Sequence, residues 1–299
     1  MRLSTVILPE RRWSEGGRET WQRAEELGFH AAYTYDHLSW RTFRDGPWFG
    51  AIPTLTAAAT VTSRMRLGTL VTSPNFRHPV TLAKELISLD DISGGRVTLG
   101  IGAGGSGFDA TALLGGGREP WTLRERADRF AEFVPLLDRL LTQDVVSYDG
   151  EHYSASEVRN IPGCVQRPRL PFAVAATGPR GLRLAARHGQ AWVTTGDPKL
   201  FETGTPEQSL KAVAGQIERL SAACAAIDRD PAGLHKIMLT GFTPDRPLDS
   251  FDAFVDFAGS HAELGIDEIV VHWPIADSVF AADLAVFEKI ATDGLAQLS

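Results

Sequence analysis

The sequence predicts an α/β fold of the (β/α)8 TIM barrel type, and three observations carry the prediction. Short runs rich in β-branched and aromatic residues alternate with longer amphipathic stretches from one end of the chain to the other. The alternation repeats eight times, which suits parallel strands joined by helical crossovers; a closed barrel is the common arrangement of that number and an open doubly wound sheet the other. At 299 residues the chain is long enough for one barrel, which commonly takes about 250. A single domain over 1–299 is therefore expected.

Taken in order, the first strand is predicted over 3–8 and its helix over 17–27, then a strand over 31–35 and a helix over 51–63. The third pair covers 66–71 and 80–90, and the fourth strand covers 96–101. The fourth helix, over 123–141, places Ala127, Phe130, Val134, Leu137 and Leu141 at three- and four-residue steps on one face, and Thr122 with Glu125 has the spacing of a capping box. Residues 143–170 break the pattern: Val145 to Tyr153 reads as a hairpin around Asp149-Gly150, followed by a proline-punctuated loop, and is taken as an insertion after the fourth helix. Strands over 172–176, 191–194, 236–240 and 268–272 then alternate with helices over 180–188, 206–227, 251–264 and 279–298. Thr205 before Pro206 is a helix-start signal.

Composition excludes several functions. A net charge of -7 and a pI near 5.6 leave no basic surface for nucleic acid or anionic lipid. The apolar run at the start is too short for a signal segment and no later stretch approaches a membrane span, so a cytoplasmic protein is expected. Cys164 and Cys224 are too few for a disulfide framework or a thiolate metal site. The eight histidines lack the spacing of paired metal ligands, so no metal is expected. No lysine ends a predicted strand, which argues against Schiff-base chemistry, and neither a Gly-x-Ser-x-Gly elbow nor a Walker loop occurs.

In a barrel, chemistry belongs on the loops that follow the strands. Asp36-His37 follows the second predicted strand and leads into an aromatic loop with Trp40, Phe43, Trp48 and Phe49. Adjacent residues at a strand end face different ways, so one can line a cofactor while the other meets a substrate. Leu70, Val71 and Thr72 end the third strand, and Gly102-Ala103-Gly104 follows the fourth, where missing side chains let a ring approach the backbone. After the fifth strand, Thr177-Gly178-Pro179-Arg180 opens a helix whose free amides, hydroxyl and charge make a phosphate seat, with Thr195 and Gly196 on the neighbouring loop.

Asp36-His37, the stretch from Arg66-Leu67-Gly68-Thr69 to Asn75-Phe76-Arg77-His78-Pro79, the block Leu89-Asp90-Asp91-Ile92-Ser93-Gly94-Gly95-Arg96 with Leu99-Gly100-Ile101-Gly102, and Ala176-Thr177-Gly178-Pro179 together resemble the bacterial luciferase-like family. The resemblance runs over nearly the whole chain and implies a TIM barrel with a long insertion. Family members use FMN or the deazaflavin coenzyme F420, and Asp-His after the second strand is more similar to the F420 branch. It further implies that Asp36 lies near the ring system, that His37 faces the reactive carbon, and that Leu70-Val71 forms a bulge, often with a non-proline cis peptide, behind the ring. Thr177, Gly178, Pro179 and Arg180 would hold phosphate. The sugar-phosphate dehydrogenases of that branch carry a glutamate directly after the glycine loop, where this chain has Gly105. Trp40, Trp48 and Trp121 point instead to a flatter, less charged substrate.

The expected function is an F420-dependent oxidoreductase that moves hydride between the deazaflavin and a small organic molecule, reducing a C=C or C=N bond, with His37 handling the proton. The alternatives are an FMN-dependent luciferase-like monooxygenase using reduced flavin and oxygen, and a barrel that binds a flavin or metabolite without turnover. A homodimer through helices on one side of the barrel is expected.

Overall fold

The computed structural model describes residues 1–114 and 119–296. In chain order its strands are β1 (Arg2–Val6), β2 (Ala31–Thr34), β3 (Arg66–Thr72), β4 (Val97–Gly102), β5 (Val145–Asp149), β6 (Ser154–Arg159), β7 (Phe172–Ala175), β8 (Ala191–Thr194), β9 (His235–Leu239) and β10 (Glu268–His272). The helices are α1 (Arg18–Glu26), α2 (Ala51–Val61), α3 (Pro79–Ile92), α4 (Phe108–Ala112), α5 (Leu123–Thr142), α6 (Pro179–His188), α7 (Pro206–Ala225), α8 (Phe251–Glu263) and α9 (Leu284–Asp293). All strands except β5 and β6 pair in parallel and close in the order β1-β10-β9-β8-β7-β4-β3-β2. The closure selects the TIM barrel over the open sheet.

Barrel strands are covered on both faces, so their side chains sort by parity. In β10, Ile269 and Val271 join Leu67, Leu99, Phe172 and Trp192 in the shell beneath the helices, whereas Val270 joins Val6, Tyr33, Leu70, Val193 and Ile237 in the lumen. Each such burial is worth about 1.5–3 kcal/mol before the cost of ordering. The lumen is tight. A Cβ on Gly100 would fall 1.9 Å from the Thr69 carbonyl oxygen and 2.8 Å from Leu70 Cδ2, so glycine there is what lets β3 and the Leu70 side chain approach. The floor of the lumen is polar: the Glu268 carboxylate, 2% exposed, accepts from the Tyr33 hydroxyl at 3.1 Å and lies 2.9 Å from His235 Nε2.

Both expected helix starts are present as capping boxes, Thr122 with Glu125 and Thr205 with Gln208. The departures lie at ends and in short pieces. β1 stops at Val6. The last helix begins at Leu284 rather than 279, because Asp283 accepts the amides of Ala285 and Val286 at 2.7 and 3.1 Å and caps it there. The five residues of α4 are too few for periodicity to reveal. In the insertion the turn is wider than expected, Gly150 N to Tyr153 O at 3.0 Å, and β6 runs on to Arg159. Three carboxylates tie the insertion to the barrel's helices: Asp90 accepts Gln166 Nε2 at 2.7 Å, Glu132 accepts the Tyr153 amide at 2.9 Å, and Asp138 accepts Arg169 Nε at 2.6 Å. Asp90 belongs to the sequence block most specific to the family, which therefore has a structural use here.

Candidate active site

A cleft of about 770 Å³ opens where β3, β4 and β7 end and where α5 and α6 begin. His37, just beyond β2, forms part of its wall. Its Nδ1 is bonded to the carboxylate of Asp109 in α4, whose second oxygen accepts the Leu38 amide at 2.7 Å. The His37 carbonyl is held in turn by Trp48 Nε1 at 2.8 Å. A carboxylate is an acceptor, so it selects the tautomer with the proton on Nδ1 and leaves Nε2 for the cleft. Because Asp109 is 5% exposed and bonded to both His37 and the adjacent backbone, the imidazole is fixed in position as well as in tautomer.

Asp36, next to it, does not line the cleft. It is 1% exposed, and its carboxylate is taken up by Arg77 Nη2 at 2.7 Å, Arg77 Nε at 3.0 Å and the Thr72 hydroxyl at 2.8 Å. β3 carries the bulge that the resemblance implied: the Leu70-Val71 peptide is cis and the β3–β4 register shifts between Thr69 and Thr72. Leu70 points into the lumen and Val71 forms part of the cleft wall.

Ala103 and Gly104 form the adjoining wall. Gly104 has φ +77°, and a Cβ on it would lie 2.7 Å from Asn75 Nδ2, which itself donates to the Gly105 carbonyl at 2.9 Å. Two polar atoms beside this wall are buried without partners, Ser73 Oγ and Asn75 Oδ1, and Ser73 lines the cleft. The edge of a flavin or deazaflavin ring carries carbonyl and N–H groups that match such orphans, so the residues present fit that group. At the far end, Thr177, Gly178, Pro179 and Arg180 also line the cleft. Gly178 caps α6 without a side-chain bond, so the first amides of the helix are open to an anion, while Arg180 is already paired to Asp128 at 2.5 Å. Gly196 sits apart: it is buried, its amide donates to the Thr194 hydroxyl at 2.9 Å, and its carbonyl accepts Gln216 Nε2 at 3.0 Å. Neither it nor Thr195 lines the cleft.

A second opening, about 490 Å³, lies at the barrel mouth beyond β9 and β10. Trp40, Phe242 and Phe280 are its aromatic walls, with His272 beneath and Arg41 above. Trp40 stacks on Phe280 at 5.5 Å, Phe280 stacks on His272 at 3.8 Å, and the Arg41 guanidinium stands 4.9 Å over the Trp40 ring. Of the three tryptophans singled out above, Trp40 is the one that meets this opening. Trp48 props His37, and Trp121 is covered by the Arg129 guanidinium at 3.8 Å. Tyr35 stands edge-on to His37 at 5.8 Å, with its hydroxyl 2.7 Å from His272 Nε2. Burial pushes His272 down to about 3 and the Tyr35 phenol well up, so both are neutral near pH 7.

Sequence reasoning missed Asp109, Ser73, Asn75 and His272. Asp109 left a signal: a carboxylate stands four residues after Gly105, in the segment that follows the fourth strand. Among the described residues no group of three His, Cys, Asp or Glu is placed to hold a metal, and both cysteines are free and buried.

The profile described as "luciferase-like monooxygenase" matches residues 15–246. The F420-dependent glucose-6-phosphate dehydrogenase of Beutenbergia cavernae is 37% identical over 205 residues, 67% of this chain but 58% of that protein, so the match spans less than two thirds of the relative's length. The F420-dependent tetrahydromethanopterin reductase of Methanopyrus kandleri superposes over all of this chain and 99% of its own, with a TM-score of 0.76 at 18% identity. A monooxygenase of Streptomyces bottropensis superposes over 99% and 98% with a TM-score of 0.75 at 22% identity. At those identities the structures speak for the fold alone, whereas the matched profile covers most of the chain and carries the conclusion: the protein belongs to the luciferase-like monooxygenase family.

Proposed function

We propose that the protein is an oxidoreductase that binds coenzyme F420 in the 770 Å³ cleft and exchanges hydride with a flat, weakly charged organic substrate at the barrel mouth, reducing a C=C or C=N bond. The similarity to a relative named as F420-dependent supports the cofactor. The observation that carries the reading is the His37–Asp109 pair in the cleft wall, which holds the imidazole by Nδ1 and leaves Nε2 beside a space suited to a ring. Bound there, the deazaflavin supplies a carbon centre that gives or takes hydride as a two-electron unit. Val71, Ala103, Gly104, Ser73 and Asn75 would hold the ring, and Thr177 with the Arg180 and Gly181 amides at the start of α6 would take the phosphate. In the reducing direction His37 would carry a proton on Nε2 as well, its charge balanced by Asp109, and would give it to the substrate as the hydride arrives; in the reverse direction Nε2 would take that proton up, while Trp40, Phe242 and Phe280 exclude water from the substrate side.

The test is anaerobic equilibrium binding of coenzyme F420 and of FMN, followed by fluorescence. Micromolar or tighter binding of F420 alone upholds the reading; preference for FMN overturns it. The second reading, a monooxygenase using reduced FMN and oxygen, draws on the family profile and on the structural likeness to the Streptomyces enzyme. Oxygen consumption with reduced FMN would establish it. The proposal also takes the chain as one domain acting in the cytoplasm as a homodimer. Size-exclusion chromatography should then show twice the 32.5 kDa of the chain.

A further inference from the structure

A cleft of about 510 Å³ lies on the outer side of the barrel between the start of α7 and α8, apart from the 770 Å³ cleft. Two of its lining residues hold buried polar atoms without a hydrogen-bond partner, His261 Nε2 and Asp245 Oδ2. His261 is 2% exposed, and its Nδ1 lies 2.8 Å from the carbonyl oxygen of Phe257. A carbonyl only accepts, so Nδ1 carries the ring's proton. Burial lowers the affinity of the imidazole for a second proton, against the pull of the Phe257 carbonyl and of the nearby Asp245 charge, so Nε2 is a bare lone pair. The Asp245 oxygen is likewise an acceptor. Both orphans therefore call for a donor.

The surroundings define what kind of donor. Glu207, Asp245, Asp249 and Asp256 line the cleft against the single guanidinium of Arg246, while Leu210 and Phe257 contribute apolar wall. Among the described residues no three ligating side chains are placed for a metal ion. One water, with a share of about 30 Å³, would leave most of the space unfilled. We infer that this cleft is a binding site for a small primary alkylammonium, whose N–H groups donate to His261 Nε2 and Asp245 Oδ2 and whose hydrocarbon part lies on Leu210 and Phe257. Asp245, Arg246 and Asp249 also line the opening at the barrel mouth, so an occupant would firm a wall shared with that opening.

The inference does not depend on the proposed function, and direct binding tests it. Calorimetry near neutral pH compares isoamylamine with its neutral counterpart isoamyl alcohol and with isovalerate. Saturable binding of the amine, about tenfold or more tighter than the alcohol and with none of the carboxylate, is expected. Asp245→Asn and His261→Phe, the latter keeping a ring against Phe257, should each weaken the amine by about tenfold and leave F420 binding unchanged. Equal binding of alcohol and amine, an unchanged amine affinity in both variants, or no amine binding at all would overturn it.

Discussion

At the scale of single residues, two histidines are held in opposite ways. His37 keeps a free nitrogen because Asp109 occupies the other one, and this yields graded expectations. His37→Ala should lower F420-dependent turnover by about 10²–10⁴-fold while cofactor affinity stays within a few fold. Asp109→Asn keeps the shape but can donate to Nδ1 and admit the wrong tautomer, so kcat should fall by about 10–100-fold with KM little changed. A loss of folding in that variant, read by circular dichroism, would give Asp109 a structural role instead. His272 behaves differently. Its folded-state pKa is near 3 against an ordinary 6.5, so between these the unfolded chain binds a proton that the folded chain refuses. Its stabilising contribution is complete above about pH 6.5 and is lost as pH falls toward 3. His272→Gln should flatten that part of the Tm-against-pH curve, and an unchanged slope would count against the burial argument.

At the scale of elements, the joints between helices and strands decide where loops can go. Glu25 near the end of α1 accepts the amides of Ser63, Arg64 and Met65 at 2.9, 2.7 and 2.9 Å, fastening α1 to the α2–β3 turn. Burial raises its pKa, yet these bonds outweigh it and hold the carboxyl down at about 2, below the usual carboxylate value of 4.5. The depressed pKa means that this stabilisation is present above about pH 4.5 and lost as pH falls toward 2. Glu25→Ala should cost about 1 kcal/mol near neutral pH, discounted for partial exposure, and should soften acid unfolding followed by circular dichroism. On the cofactor side, Gly104→Ala would force a Cβ onto the Asn75 amide at positive φ. A weaker F420 affinity with little change in Tm is expected there. The capping boxes of α5 and α7 were legible because they are local patterns, whereas α4 was not, since five residues carry no period. That short helix is what delivers Asp109.

At the scale of the whole molecule, the barrel is a packed object whose lumen admits no extra atoms near Gly100. Gly100→Ala should destabilise by about 3 kcal/mol or more, read as a fall in denaturation midpoint, because the new methyl meets backbone oxygen that cannot rotate away. The strand–helix alternation, the eightfold count, the insertion and the rim loops were all legible in the sequence, because periodicity and turn residues are local consequences of local chemistry. The parity of burial then followed from the strands' period of two. The partners across the barrel were not legible. Nothing in the spacing of Asp36 and Arg77, His37 and Asp109, or Tyr35 and His272 tells which pairs meet, since they lie 41, 72 and 237 residues apart. Adjacent Asp36 and His37 are expected to face different ways, but only closure of the barrel decides that the first meets an arginine in the wall and the second the cleft. The sequence by itself determined which elements form and which loops gather at the rim. Only the tertiary structure decided which side chains on that rim are consumed by one another and which remain free for chemistry, because that choice depends on distances through space that the order of residues does not encode.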